Sequence, residues 1–180
     1  MRPAPSRRSL AKAAPKRRSL APVIDIQVAS KLWQAQPRTE QTVRAAIGAA
    51  AALSTADGEV SILLTDDKAI RALNRDWRGI DKATNVLSFP APAATPGASP
   101  KMLGDIVMAY ETLAQECDRE GRVFLHHLAH LTVHGFLHLI GYDHQSDAQA
   151  DAMEGLESKI MARMNLPDPY LARDLDLGHA

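Results

Sequence analysis

Three histidines within eleven residues, His134, His138 and His144 of HGFLHLIGYDH, constrain this chain more than any other feature. Residues four apart on a helix lie one above the other. His134 and His138 therefore present two imidazoles on one side, about 5.4 Å apart along the axis. Gly141 is placed to end that helix, because glycine enters the left-handed cap without steric penalty. The chain can then turn back through Tyr142 and Asp143 and bring His144 to the same point. Three neutral imidazoles at about 2.0–2.1 Å are a recurrent zinc set, with a fourth position left for water. One Zn2+ per chain is the expectation, although nickel, copper and iron also accept imidazole.

A lone histidine on an apolar helix is usually a packed core residue. Three of them and a glycine, all where a chelate needs them, argue for a metal. His126 and His130 continue the row behind His134, about 12 and 6 Å back at 1.5 Å per residue, so structural or ligand-supporting roles suit them better than ligation. His127 lies on another face and His179 in the tail. The long zinc-peptidase signature H-E-x-x-H-x-x-G-x-x-H matches at its histidines and its glycine. It fails at one position, where Gly135 replaces the glutamate that takes a proton from the metal's water. The metal geometry is kept and the peptidase base is not. A purely structural zinc is disfavoured, since such sites usually close the fourth position.

Around this segment the chain reads as one domain of the α+β class. Its 180 residues suffice for a core, and 46% are apolar. No apolar run approaches the roughly 18 residues of a membrane span. The single cysteine, Cys117, forms no internal disulfide and fits a reducing compartment, so a cytoplasmic location is expected. Strand patterns fall at 23–29, 60–64, 84–89 and 104–109, and helix patterns at 39–53, 67–78, 111–119, 123–140 and 147–164. Asp66 or Thr65 can cap the second helix, and Ser146 with Gln149 forms a capping box for the last. The fold expected is one mixed four-stranded sheet packed with helices, with a zincin-like helix carrying the ligands.

Charge is unevenly distributed. Of 21 basic residues, seven lie in residues 1–24, which hold no acid; the other 14 face all 21 acids. The arm repeats itself, with Arg-Arg-Ser-Leu-Ala after Ser6 and again after Lys16, and its prolines argue against a continuous helix. A disordered basic arm over 1–22 is the expectation, the domain running over 23–172 and a tail over 173–180. Such an arm could rest on nucleic acid or, in a eukaryote, serve as a transit peptide. In the body, helix 67–78 sets Ile70, Leu73 and Trp77 on one side and Lys68, Arg71, Arg75 and Arg78 on the other. That basic row is either a solvated face or a track for an anionic strand.

These residues resemble the YbeY family of bacterial metal-dependent endoribonucleases. The resemblance rests on HGFLHLIGYDH, on Leu73-Asn-Arg-Asp-Trp-Arg-Gly79, on Ala83-Thr-Asn-Val-Leu-Ser-Phe-Pro90 and on Leu103-Gly-Asp-Ile106, and covers about residues 25–170. It implies cleavage of single-stranded RNA, maturation of the 16S rRNA 3′ end and clearance of defective ribosomes. It also implies partnership with the small ribosomal subunit, a ribosomal protein or an Era-type GTPase, and no membrane. Arg78 matches the family's functional arginine. Asn85 stands where the family usually has aspartate.

The chemistry points the same way. Zinc lowers the pKa of bound water to about 7 and polarises a phosphoryl oxygen. Arg78 can fork onto a phosphate, and Lys68, Arg71 and Arg75 can steer the strand. No general base is assigned: Asp105, in a Gly-Asp turn, is a candidate or a cap, and Asp143 can orient a ligand histidine. Ser88 and Thr84 contact substrate or face the core. With eight aromatic residues, no platform for stacked bases stands out. Three classes stay open: a metallo-endoribonuclease, a zinc-peptidase relative that Gly135 disfavours, and a non-catalytic ribosome-assembly factor that binds RNA and keeps zinc for shape.

Overall fold

The computed structural model of the chain describes residues 21–92 and 101–171. Among the described residues four strands form one sheet: β1 (Val23–Val28), β2 (Glu59–Thr65), β3 (Val86–Pro90) and β4 (Met102–Ala109). Their spatial order is β1-β2-β4-β3. β1, β2 and β4 run parallel, while β3 pairs antiparallel with β4 from Val86–Met108 to Pro90–Gly104. The sheet is thus mixed, as expected. Pro90 is tolerated because β3 is an edge strand, where one missing N–H breaks no ladder.

The helices are α1 (Thr39–Ser54), α2 (Asp67–Arg78), α3 (Tyr110–Glu120), α4 (Phe124–Leu139) and α5 (Asp147–Arg163). Asp66 caps α2 by accepting from Ala69 N–H, and the Ser146–Gln149 capping box starts α5. A 3-10 turn at Lys31–Ala35, unmarked in the sequence pattern, is pinned by Trp33, whose indole N–H donates to the Thr65 carbonyl at 2.8 Å. The arm over 1–22, apart from residues 21 and 22, the tail over 173–180 and most of the Pro90–Pro100 loop lie outside the described residues.

Alternation along the strands divides the core in two. Val60, Ile62, Leu64, Ile106 and Met108 face α1 and α4; Leu87, Val107 and Ala109 face α2 through Ile70. In α1 the buried residues are Thr39, Val43, Ala46, Ile47, Ala50 and Ala51, three of them alanines, which let α4 approach closely. Burying one leucine-sized side chain is worth about 1.5–3 kcal/mol, so the α4 face, with Leu128, Val133, Phe136 and Leu137 fully buried, fixes that helix firmly. Trp77 shares the side of α2 that carries Leu73, as its spacing requires; it meets the Phe89 ring edge-on at 5.9 Å and is 73% exposed. Asn74 is buried, since its amide donates to the Lys82 carbonyl (2.8 Å) and ties the returning chain to α2. Asp105 is not in a turn but inside β4, opposite Ser61 and Phe89, on the α2 side of the sheet.

Candidate metal centre

His134 and His138 stand one turn apart on α4, as their spacing requires. The helix ends at Leu139, and Gly141 (φ 99°) lets the chain reverse so that His144 meets them. One ligand atom from each ring lies within 4.8 Å of the others, and among the described residues no carboxylate oxygen joins the set. Ring centroids are 4.7 Å apart for His134 and His138, 5.0 Å for His138 and His144, and 5.6 Å for His134 and His144.

The partners of the rings fix which nitrogens are free. His134 Nδ1–H donates to Glu157 Oε1 at 2.8 Å, and His138 Nδ1–H donates to the Tyr142 carbonyl at 3.0 Å. With both rings neutral each Nε2 carries a free lone pair, and the two face one another at 3.1 Å. Two lone pairs so close repel unless a cation lies between them. Tetrahedral zinc at about 2.0–2.1 Å from each would set them about 3.3 Å apart, so the donor set fits such an ion. Burial, reinforced by the neighbouring His134 and His144, pushes the His138 pKa down and favours the neutral, ligating form.

Glu157 on α5 supports the cluster. It is fully buried and accepts from His130 Nε2 and His134 Nδ1, both at 2.8 Å, and from the Tyr170 hydroxyl. Burial raises its pKa, but the His130 and His134 hydrogen bonds outweigh that and hold it at about 2. Glu157 interrupts an otherwise apolar α5 row of Met153, Ile160 and Met161; that break in the stripe is the sequence signal that could have found it. The supporting role expected of His130 is met through this carboxylate. Among the described residues Asp143 makes no hydrogen bond to a ligand-candidate ring; its Oδ1 accepts the His144 backbone N–H at 2.8 Å.

A groove of about 460 Å³ opens beside the cluster, lined in part by His134, His144, Glu116, Glu120 and Glu154. Asn85 lies in it, its amide donating to both Glu116 oxygens at 3.0 Å, while His127 Nε2 meets Glu116 Oε2 at 2.8 Å. Burial would raise Glu116, but the His127 and Asn85 hydrogen bonds lower it on balance. An amide at position 85 thus has a use that an aspartate would not.

Gly135 points elsewhere. A Cβ there would come within 3.0 Å of Ser88 Oγ and 3.1 Å of Ile106 Cγ2. This position is the close contact of α4 with the sheet, with no room for a catalytic glutamate. Ser88 therefore faces α4, while Asp105 faces the opposite side. Arg78, at the exposed end of α2, does not line the groove. In the basic row, Arg71 is held by Asp81 through two bonds (2.7 and 2.9 Å) and Arg75 by Asp76 (2.9 Å). Lys68 and Arg78 have no ion pair among the described residues.

The chain is similar to known proteins over most of its length. A family model described as Endoribonuclease YbeY matches residues 25–165. The chain is 52% identical over 163 residues to an Endoribonuclease YbeY of Rhodopseudomonas palustris (strain BisB18), covering 87% of this chain and 97% of that protein. It is 54% identical over 160 residues to one from Bradyrhizobium sp. (strain BTAi1), covering 85% and 95%. The solution structure of TM1509 from Thermotoga maritima is 24% identical with a TM-score of 0.43, covering 79% of this chain and 92% of that one.

Proposed function

The chain belongs to the YbeY endoribonuclease family, and from that premise we propose that it is a metal-dependent hydrolase that cleaves single-stranded RNA internally. The observation that carries the reading is the pair of bare Nε2 atoms of His134 and His138 at 3.1 Å, with His144 beside them. Zinc is the ion we assign, held by those three residues. When bound it supplies Lewis acidity, which polarises a phosphoryl oxygen and makes water a better nucleophile.

The chain's own residues do the rest. Glu157 and the Tyr142 carbonyl hold two imidazoles in the ligating tautomer. The groove admits a phosphodiester beside the cluster. Arg78, outside the groove and without an ion pair among the described residues, holds a phosphate elsewhere on the strand through its planar fork and so positions it. Lys68 adds attraction at longer range. The substrate we assign is 16S rRNA near its 3′ end, with the small ribosomal subunit as context, a ribosomal protein or an Era-type GTPase as partner, and ribosome quality control as a second task. The cytoplasm is the proposed location; no described helix is long and apolar enough to cross a membrane.

The test is incubation of zinc-loaded protein with single-stranded ribosomal RNA and, separately, with casein. RNA should be cut internally and casein left whole. His138→Ala should lose both cleavage and bound zinc, while Arg78→Ala should keep zinc and cleave poorly. Cleavage that survives in His138→Ala would refute the metal site, and RNA bound but never cut would favour an assembly factor.

A further inference from the structure

The groove beside the imidazoles holds three carboxylates, and two are committed. Glu116 accepts from Asn85 and His127. Glu120 is paired with Arg119 at 2.8 Å and Arg122 at 2.7 Å. Glu154 has neither hydrogen bond nor ion pair among the described residues, although it is only partly exposed. A carboxylate in a groove with no internal partner has its lone pairs open to a water beside it.

Its place on the helix matters. Glu154 stands three residues before Glu157, so the two share a face of α5, and Glu157 grips His134. Glu154 therefore lies alongside the cluster, lining the same groove as His134 and His144. Its oxygens do not join the three ligand nitrogens. It is near the site without closing it. Gly135, meanwhile, is packed against Ser88 and Ile106, so α4 supplies no base from the position peptidases use. Asp105 is on the far side of the sheet.

We propose that Glu154 is the general base of the hydrolysis, an inference that rests on the endoribonuclease reading. Its carboxylate takes one proton from the water that attacks phosphorus. The water oxygen forms the new P–O bond, the bond from phosphorus to the leaving ribose oxygen breaks, and that oxygen takes a proton from solvent. No redox partner is needed.

The experiment compares wild type, Glu154→Gln, Glu154→Asp and Glu154→Ala on single-stranded ribosomal RNA, with zinc affinity measured by competition against a chromophoric chelator. Glu154→Gln should lose about 10²–10⁴-fold in kcat, with KM and zinc affinity unchanged. Glu154→Asp should retain more activity than Glu154→Gln, and added formate should restore activity to Glu154→Ala. Glu154→Gln as active as wild type would overturn the proposal and leave the family function standing. A drop in zinc affinity of about tenfold or more would also overturn it, since that is the signature of a ligand or a ligand's support. If zinc-loaded wild type cuts no RNA, the functional reading falls and this inference with it.

Discussion

Replacing Gly135 by alanine tests the contact that fixes α4 on the sheet. Two terms oppose each other. Alanine in a helix interior is favoured over glycine by about 0.8–1.0 kcal/mol. Against this, the new methyl would sit 3.0 Å from Ser88 Oγ and 3.1 Å from Ile106 Cγ2, closer than ordinary van der Waals contact. Ser88 is partly exposed on an edge strand and can rotate away. Ile106 cannot, because it is fully buried in β4 between β2 and β3. Overpacking of this kind costs about 1–3 kcal/mol, so Gly135→Ala should come out destabilised by up to about 2 kcal/mol after the propensity gain. Gly155, in the middle of α5 with nothing within 4 Å of its added Cβ, is the control. Gly155→Ala should be stabilised by up to about 1 kcal/mol. Urea unfolding at 25 °C with chelator present measures both, equal m-values licensing the comparison. If Gly135→Ala matches Gly155→Ala, α4 does not press on Ile106 at position 135 and the close contact with the sheet is refuted. Gly135→Glu, which restores the peptidase residue, should fail to fold, because it buries a charge against Ile106.

Three further outcomes are expected. Glu157 has a folded pKa near 2 against an ordinary 4.5, so its contribution to the metal-free protein is complete above about pH 4.5 and is lost as pH falls toward 2; Glu157→Gln should flatten the urea midpoint across that window. Asn85→Asp would turn a carboxylate toward the two Glu116 oxygens now 3.0 Å from the amide. It should cost about 1–3 kcal/mol at pH 7, by urea unfolding, with a smaller loss at pH 5 where one carboxyl can take a proton. For single-stranded RNA, Lys68→Ala/Arg78→Ala should reduce the salt slope of log Kd by about 1.4, at about 0.7 per phosphate contact. Arg71→Ala/Arg75→Ala should change it less, since Asp81 and Asp76 already hold those guanidinium groups.

The pairing of His134 with His138 was legible because a helix converts sequence spacing into direction: residues four apart share a side whatever surrounds them. The glycine that turns His144 back was legible for a similar reason, as left-handed backbone has few other occupants. Element order followed from local periodicity and caps, signals that each segment carries within itself. Spacing gave the side of α2 that Trp77 shares with Leu73 but not its 73% exposure, because how far a side is covered depends on the segments packed there.

What only the tertiary structure decided are the contacts between segments distant in sequence. Glu157 reaches His134 across 23 residues, and Glu116 reaches Asn85 across 31. No local pattern encodes those distances, because they depend on how α5 and α3 are laid against α4. The sheet's register likewise set Asp105 and Ser88 on opposite faces, since neighbouring positions on paired strands alternate sides. Gly135 is the clearest case. In one dimension it stands where a base is missing; in three it is the contact that lets the histidine-bearing helix lie on the sheet.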